Sequence, residues 1–336
     1  MKVSFLVTYY NQEQYVKSSM DSILALEKPF DWEILVGDDG STDMTVEEIK
    51  KFIQHYPNHI KLIVMPREPN VAYQSVKRVS NSRLTLLEQA TGDYFCVIDG
   101  DDFYCDTTFV KESLEIFKKH PDISVVSYGY SEYINGVYGK EVSLTKDDSG
   151  NIINTYDYIK NYYIHAGACV FKKAFKCDRL EMLKCIGYFD DNDILINNLC
   201  YGNIFAMKKN VYAYRQTGIS VYTSMKCLEK GILNVQGYDV DCNIAPKFIN
   251  ELKHRNRKAL IYTYIKRKKI KLLLGNKWST YLEASQTIPN GLIVRLLNYD
   301  SLEIVQKRQL NFFMLKFMVR NLKTSLKIVL EVLEGE

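Results

Sequence analysis

The sequence predicts an α/β fold in which a parallel sheet is flanked by helices and followed by a helical C-terminal region. Apolar runs typical of buried strands alternate with helical patterns over about the first 100 residues, as in parallel sheets. Three of these runs end in polar clusters. Beyond Pro246 the chain is helical in pattern, basic and poor in turn-forming residues. The length of 336 residues suits one large domain, which we place at 1–225, and an extension at 226–336.

Four strands are predicted from short apolar runs bounded by turn-forming residues. They are Val3–Thr8, Trp32–Gly37, Ile60–Met65 and Tyr94–Ile98. The carboxyl ends of parallel strands lie along one edge of a sheet, and ligands bind beyond that edge. We therefore expect the functional site among the residues that follow these strands.

Helices are predicted between the strands. Asn11 is a candidate N-cap for a helix whose apolar residues recur at helical spacing over 16–24. Ser41 or Asp43 is expected to cap a second helix, marked by apolar residues over 46–53.

The middle of the chain carries two hairpin signals, at Asn135-Gly136 and at Ser149-Gly150. A segment rich in small residues follows at 165–172. The pattern of Phe189–Leu199 then predicts a helix that begins with carboxylates.

The cysteines and the apolar segments indicate the cellular compartment in which the protein is expected. The eight cysteines show neither C-x-x-C spacing nor a Cys/His cluster with zinc-ligand spacing, so reduced thiols are expected. The apolar run Val3–Val7 is too short for a signal peptide, and no stretch approaches the roughly 18 apolar residues of a spanning helix. We therefore expect a cytoplasmic protein.

The net charge of +4 conceals an asymmetry. Residues 246–336 hold 18 Lys and Arg against 7 Asp and Glu, which leaves the first 245 residues with a balance of −7. An acidic body with a basic tail indicates two functional regions.

Acidic residues close the fourth predicted strand, at Asp99, Asp101 and Asp102. Three carboxylates so close together would repel one another unless a cation lay among them. Mg²⁺ and Mn²⁺ are hard cations that bind through one or two carboxylates and substrate phosphates. The structural alternative is a solvated turn in which Asp102 caps the helix around Val110.

A second acidic pair, Asp38-Asp39, follows the second predicted strand. Capping of the next helix is one interpretation. The other is that Asp39 accepts the imide N–H of a uracil. The chain has neither G-x-G-x-x-G nor G-x-x-x-x-G-K, which argues against dinucleotide dehydrogenases and P-loop enzymes.

Three segments together resemble the family 2 glycosyltransferases, which are inverting enzymes of the GT-A fold. They are Val3–Asn11, Glu33–Asp43 and Gly92–Asp102, in the family's order and spacing. Further on, Phe189–Ile194 is similar to the family's E-D-x-D-L segment and Tyr214–Ser220 to its Y-R-x-H-x-x-S segment. The resemblance implies a nucleotide-binding half at 1–102 and an acceptor half at 103–225.

The resemblance also implies the residues that hold the donor. Thr8 and Tyr10 would line a uracil pocket, with Tyr10 stacked on the base, and Asp39 would bind the base. Asp99 would hold the ribose or the water shell of a metal. Asp101 would ligate that metal, Mn²⁺ or Mg²⁺, directly.

On the acceptor side, Asp191 would be the general base. His165, Asp190 and Arg215 would contact the acceptor or the phosphates, although a histidine such as His165 more often has a structural role. Asp190 replaces the family's usual glutamate, and Thr217 stands where many members have histidine, so a metal or phosphate contact from Thr217 is not expected.

The implied reaction is transfer of a hexosyl or N-acetylhexosaminyl group from a UDP-sugar to a hydroxyl of a saccharide or lipid-linked acceptor, in the assembly of cell-surface polysaccharide. Asp191 would take the proton of the attacking hydroxyl, and a single displacement would invert the anomeric carbon.

Two alternatives are a nucleotidyltransferase on a similar sheet and a non-catalytic module that binds nucleotide sugars. The first would need a glycine-rich basic loop after the first strand, and the second would not need Asp191.

The basic tail supports two interpretations. Lys316, Arg320, Lys323 and Lys327 recur at steps of four, three and four, as one stripe of a helix rich in Phe and Leu. Such a helix suits an anionic membrane surface, with the protein peripheral on the inner face of the cell membrane. It equally suits packing against the main domain or a second subunit. Nucleic acid is not expected, because no binding motif accompanies the charge.

Overall fold

The computed structural model describes residues 1–67, 75–186, 189–217, 237–274 and 291–333. The chain forms two compact units, Met1–Thr223 and Ser224–Glu336. The predicted boundary at residue 225 and positions 218–220 of the Tyr214–Ser220 motif lie outside the described residues.

The first unit alternates strands and helices, as predicted. Its described strands are β1 (Lys2–Tyr9), β2 (Asp31–Asp38), β3 (Ile60–Val64), β4 (Tyr94–Asp99), β5 (Phe103–Tyr104), β6 (Ile123–Ile134), β7 (Val137–Val142), β8 (Asn151–Ile153), β9 (Cys169–Lys172) and β10 (Asn203–Arg215). Its described helices are α1 (Glu13–Leu24), α2 (Thr45–His55), α3 (Ser75–Gln89), α4 (Phe109–Lys119), α5 (Thr155–Asn161), α6 (Cys177–Ile186) and α7 (Asp191–Leu199).

These strands form a mixed sheet in the order β3-β2-β1-β4-β9-β6-β10-β5, with β7 paired to β6 and β8 to β10. The strands β3, β2, β1 and β4 are mutually parallel, which confirms the predicted parallel sheet for this half. Strand β9 runs antiparallel to both β4 and β6, and therefore joins the two halves of the sheet.

Helices cover both faces of this sheet, which explains why β1 is apolar on both sides. Val3, Phe5 and Val7 are fully buried in a core that includes Val16 and Met20 of α1. Leu6, which points to the opposite face, is also buried. Strands buried on both faces have near-continuous apolar sequences rather than alternating ones.

Glu33 ties together the edge of the sheet opposite to the candidate site. Its Oε1 accepts hydrogen bonds from Ser4 Oγ at 2.6 Å and Thr91 N at 2.7 Å, and its Oε2 accepts one from Lys2 Nζ at 2.9 Å. Burial alone would raise the pKa of Glu33, but these hydrogen bonds overcome it and lower the pKa to about 2.

Two predicted caps are wrong. Gln12, not Asn11, precedes α1, because Asn11 adopts a left-handed backbone with φ of 50° and its Oδ1 accepts from Thr42 N instead. The cap of α2 also differs: Met44, rather than Ser41 or Asp43, immediately precedes that helix, although Asp43 Oδ1 accepts from Thr45 N at 3.0 Å.

The structural alternative, in which Asp102 caps α4, is excluded. Thr108 precedes α4, and the carboxylate that accepts from Phe109 N, at 2.9 Å, belongs to Asp106.

One of the two predicted hairpins forms. β6 and β7 meet at Asn135-Gly136, where both residues have positive φ, as a tight hairpin turn requires. The second prediction is wrong: although Gly150 has a positive φ, β8 pairs with β10 rather than with β7. A short turn motif predicts the turn but not the partner of the strand that follows it.

The second unit is helical in the part that the structure describes, as predicted. Residues 237–244 are helical. They are followed by α8 (Ile249–Arg255), α9 (Arg257–Leu274), α10 (Leu292–Leu297), α11 (Ile304–Arg320) and α12 (Leu322–Leu333). A small core forms around Leu296, Leu310 and Met314. Among these and the other described helices, none is both long and apolar enough to cross a bilayer.

The basic stripe does not lie on one continuous helix as predicted. α11 ends at Arg320, and the backbone N–H of Asn321 caps it by donating to Phe317 O and Met318 O at 3.1 Å. Lys316 and Arg320 therefore belong to α11, whereas Lys323 and Lys327 belong to α12.

Candidate active site

The site begins where β1 and β4 end side by side. Thr8 and Asp99 are paired across these strands, and Thr8 Oγ1 donates to Asp99 Oδ1 at 3.2 Å. Gly100 follows, and a Cβ there would lie 2.1 Å from the Tyr9 ring. The chain can therefore turn tightly against β1 after Asp99 only because residue 100 is glycine.

Arg83 of α3 brings two predicted site residues together. Its Nη2 lies 3.0 Å from Asp99 Oδ1 and 2.7 Å from Asp191 Oδ1. The Arg83 side chain is only 11% exposed, so little water screens these two ion pairs. Asp99 lies in the half assigned to the nucleotide and Asp191 in the half assigned to the acceptor.

The two carboxyl groups differ in their electrostatic surroundings. Burial opposes ionisation of Asp99, but Arg83 holds its pKa below the ordinary value. For Asp191, burial raises the pKa, and Arg83 only partly offsets this effect. Arg83 itself stays protonated: burial disfavours its charge, but Asp191 and Asp99 raise its pKa.

His165 lies on the other side of Asp191. Its Nε2 is 3.7 Å from Asp191 Oδ2, and its Nδ1 accepts from Gly167 N at 3.1 Å. Because Nδ1 is an acceptor, a neutral His165 carries its proton on Nε2, the nitrogen nearest to Asp191. Asp99, His165 and Asp191 each have a potential metal ligand atom, and these atoms lie within 4.8 Å of one another.

Three tyrosine rings hold the imidazole of His165. The ring of Tyr212 stacks on it at a centroid distance of 5.1 Å, Tyr214 lies at 5.0 Å and Tyr130 at 5.8 Å. Gly167 makes this packing possible, because a Cβ there would lie 2.2 Å from the Tyr212 ring.

The remaining acidic residues after β4 have different roles. Asp102 is buried, and it accepts from Tyr212 Oη at 2.5 Å and from Arg215 N at 2.7 Å. Arg215 Nε donates to the backbone oxygen of Asp101 at 2.6 Å. Asp102 therefore fastens β10 to the loop after β4, while Asp101 stays beside the guanidinium.

The donor set fits a hard divalent cation. Burial and the neighbouring Asp99 raise the pKa of Asp101 to about 6, so negative charge is crowded at this loop. A cation ligated by carboxylate oxygens would offset that crowding. In the described part of the chain, the group that could hold such a cation is Asp99, His165 and Asp191, and Arg83 already lies against its two carboxylates.

A second group of residues gathers after β2. Asp39 is 5% exposed, and its Oδ1 accepts from Arg78 Nε at 2.7 Å. Arg67 donates to the backbone oxygen of Asp39, and its guanidinium lies over the Tyr10 ring at 4.4 Å. Asp38 has a structural role, since its Oδ2 accepts from Gly40 N and Ser41 N.

Asp190 is the N-cap of α7. It forms a capping box with Asp193, in which each side chain accepts from the other residue's backbone N–H. A capping box satisfies two backbone donors that the first turn of a helix leaves unpaired. The predicted helix that begins with carboxylates is thus confirmed, and Asp191 is its first residue.

Three arginines of this site, Arg67, Arg78 and Arg83, are not among the residues predicted from the sequence. A faint signal was present for two of them. Arg78 and Arg83 have no Asp or Glu within four positions on either side, so neither can pair along its own helix. An arginine without a partner on its own helix is a candidate to pair with a carboxylate elsewhere.

A family model and several known proteins match this chain. The model of "Glycosyl transferase family 2" matches residues 4–179. The "Putative glycosyltransferase EpsE" of Bacillus subtilis is 34% identical over 128 residues, which are 38% of this chain and 42% of that protein. The "Poly-beta-1,6-N-acetyl-D-glucosamine synthase" of Staphylococcus epidermidis is 29% identical over 195 residues, 57% of this chain and 43% of that protein. The chain thus spans less than half the length of these relatives.

The fold has counterparts among solved structures. S. aureus TarS 1–349 in complex with UDP matches 100% of this chain and 92% of that chain with a TM-score of 0.59 and 17% identity. The same protein in complex with UDP-GlcNAc gives a TM-score of 0.56. The predicted GT-A fold is therefore confirmed. Because the family model covers more than half of the chain, including β4 and its acidic loop, this protein belongs to glycosyltransferase family 2.

Proposed function

We propose that the protein transfers a sugar from a UDP-linked donor to a hydroxyl of a saccharide or lipid-linked saccharide, with inversion at the anomeric carbon. One observation carries this proposal. Asp99 and Asp191, 92 positions apart, share the guanidinium of Arg83. Donor binding at Asp99 and proton removal at Asp191 would thus occur within one small, partly buried site.

On the donor side, the nucleotide occupies the end of β1 and β2 in residues 1–102. Tyr10 stacks on the uracil, Thr8 lines its pocket and Asp39 accepts its imide N–H. Arg67 and Arg78 form ion pairs with Asp39 and hold its carboxylate in place beside Tyr10. The bound UDP and UDP-GlcNAc of the TarS structures, and the name of the Staphylococcus epidermidis relative, support UDP-N-acetylglucosamine as the first donor to test.

On the acceptor side, within residues 103–225, Asp191 takes the proton of the attacking hydroxyl. Burial raises the pKa of Asp191, which makes it a stronger base than an exposed aspartate. Arg83 keeps the carboxylate ionised and oriented, because its guanidinium lies 2.7 Å from it. His165 Nε2 lies 3.7 Å from the other oxygen of Asp191, close enough for His165 to influence the base.

The charge that develops on the departing UDP requires stabilisation. Arg215 lies beside Asp101 and supplies one positive charge. A bound Mn²⁺ or Mg²⁺, held by Asp101 and Asp99, would supply Lewis-acid stabilisation of the diphosphate. Asp190 supports the base indirectly by capping the helix that begins with Asp191. We place this reaction in the assembly of cell-surface polysaccharide, on the cytoplasmic side of the membrane.

Binding and turnover measured separately test this proposal. We expect UDP-N-acetylglucosamine with Mn²⁺ to raise the melting temperature more than GDP- or CDP-sugars do, and to release UDP slowly even without acceptor. Asp101→Ala should abolish the Mn²⁺-dependent part of both effects, whereas the exposed control Asp148→Ala should keep it. Full activity of Asp101→Ala in EDTA would rule out the metal. Donor binding without any UDP release, unchanged in Asp191→Asn, would favour a non-catalytic binding module.

A further inference from the structure

The last two helices expose apolar side chains on the sides that face away from their own core. On α12, the inward residues Ser325 and Ile328 are 4% and 1% exposed. Elsewhere on this helix four leucines are each more than half exposed: Leu322, Leu326, Leu330 and Leu333. α12 is therefore apolar on both sides, which in water is expected only for a helix that something else covers.

α11 shows the same arrangement. Its inward residues Leu310 and Met314 are buried in the small core of the second unit. On its outward side, Phe312, Leu315 and Val319 are 68%, 62% and 63% exposed. Exposed apolar side chains that group on one side of a helix in this way are typical of an interaction site, whereas ordinary exposed apolar residues are scattered singly.

Basic residues border this apolar surface. At 100° per residue, Lys323 and Lys327 follow Leu330 around α12 and form one flank of its leucine face. Lys316 and Arg320 hold the equivalent flank on α11. Over residues 304–333 there are six Lys and Arg, and Glu331 is the only acidic residue.

This charge distribution favours an anionic lipid surface over a second copy of the chain as the partner of α11 and α12. A second copy of the chain would bring an equally basic surface against this one, with a single glutamate on each side to compensate. An anionic lipid surface supplies the missing negative charge and also an apolar layer into which Leu and Phe side chains insert. Lysine and arginine on the flank extend their stems along the apolar face and keep their charged ends at the headgroups.

We propose that α11 and α12 form an interfacial membrane-binding element, with the apolar face defined by Phe312, Leu315, Val319, Leu322, Leu326 and Leu330 inserted into an anionic leaflet. This inference is independent of the chemistry proposed for the first unit. It requires no spanning segment, since interfacial helices lie in the plane of the membrane.

Flotation of the full-length protein with vesicles tests the proposal. Phosphatidylcholine vesicles containing phosphatidylglycerol should bind the protein, and vesicles of phosphatidylcholine alone should not. The variant Leu322→Gln/Leu326→Gln/Leu330→Gln should lose binding with an unchanged melting temperature, because these exposed side chains leave the core intact and glutamine favours helix.

A charge variant separates electrostatics from folding. Each basic residue near an anionic surface contributes roughly fivefold to the binding constant. Changing Lys316, Arg320, Lys323 and Lys327 to Gln should therefore weaken vesicle binding by more than about a hundredfold, and added salt should mimic the change. A control with the same loss of charge, made at the exposed Lys50, Lys119, Lys140 and Lys146 of the first unit, should bind as the wild type does.

Two results would overturn the proposal. One is that the leucine variant floats as well as the wild type. The other is that the wild type ignores both kinds of vesicle and sediments as a dimer that the leucine variant converts to monomer. In that case the apolar face joins two copies of the chain.

Discussion

The carboxylates of Asp99 and Asp191 share one nitrogen, Nη2 of Arg83, at 3.0 Å and 2.7 Å. Asp99 ends β4 and Asp191 begins α7. This contact therefore fixes the distance between the strand that carries the proposed donor-binding residue and the helix that carries the proposed base. Removing Arg83 would leave two partly buried carboxylates without their cation, which is costly in a site of low dielectric. The geometry of the site and its protonation state therefore depend on the same residue.

We predict that Arg83→Gln moves the acidic limb of the pH–rate profile to higher pH. Arg83 favours the ionised form of both carboxyl groups. Without it their pKa values rise, and Asp191 is ionised only at higher pH. The rate at pH 6 should thus fall more than the rate at pH 8. The measurement is kcat/KM against pH, with Lys77→Gln as a control for loss of an exposed basic residue on the same helix. An equal loss at every pH would mean that Arg83 acts only on structure.

A second prediction concerns the packing around His165. A Cβ on Gly167 would lie 2.2 Å from the Tyr212 ring, so Gly167→Ala must displace that ring and with it the imidazole stacked on it. We expect a loss of about 1–3 kcal/mol in the free energy of unfolding, as for other overpacked sites, and lower turnover. In the control Gly139→Ala, the nearest atom would be 3.6 Å away, and stability should hardly change. Denaturant unfolding measures both variants, and a Gly167→Ala protein as stable as the wild type would contradict the packing that we describe.

A third prediction concerns stability in acid. The folded-state pKa of Glu33 is about 2, below the ordinary value near 4.5, so the folded state favours the ionised form. The resulting stability is present above pH 5 and is lost as the pH falls through 4.5 towards 2. Because part of the shift is screened by solvent, we expect Glu33→Gln to cost about 1–2 kcal/mol at pH 7 and much less at pH 3.

Urea unfolding at several pH values measures this difference. Glu141→Gln, at an exposed position of β7, is the matched control and should have little effect at either pH. A cost for Glu33→Gln that is the same at pH 7 and pH 3 would show that hydrogen-bond geometry, not charge, stabilises the edge of the sheet.

The strands could be predicted from the sequence because local composition determines them. Each of the four predicted apolar runs forms a strand, and the Asn135-Gly136 turn forms its hairpin, since the residues that matter are adjacent in sequence. The partner of β8 could not be predicted, because it pairs with β10 across about 50 positions and no local pattern encodes that choice.

The difference between local and long-range determinants applies to the candidate site as well. Asp99 could be chosen as a candidate because it stands at a recognisable strand end, and Asp191 because its segment resembles the E-D-x-D-L motif of the family. Arg83 could not, because its role depends on how α3, which packs against β1, β2 and α6, brings this side chain to Asp99 and Asp191. In sequence it is one polar residue on an amphipathic helix, where exposure to water is the ordinary expectation. The role of Asp102 could not be predicted for a related reason, since its partners Tyr212 and Arg215 lie more than 100 positions away.

The last prediction separates two adjacent carboxylates, Asp191 and Asp190. If Asp191 is the general base, Asp191→Asn should bind donor within a few fold of the wild type and lose about 10²–10⁴ in turnover. Asp190 caps α7, and asparagine caps a helix as well as aspartate does, so Asp190→Asn should keep both stability and most of the activity. The two variants differ by one position and remove the same charge, which controls for electrostatic effects on the diphosphate.

Calorimetry of donor binding and single-turnover rates measure the two steps independently. A donor affinity that falls as far as the rate in Asp191→Asn would assign Asp191 to donor binding, and an equal loss of rate in both variants would assign the effect to the helix terminus.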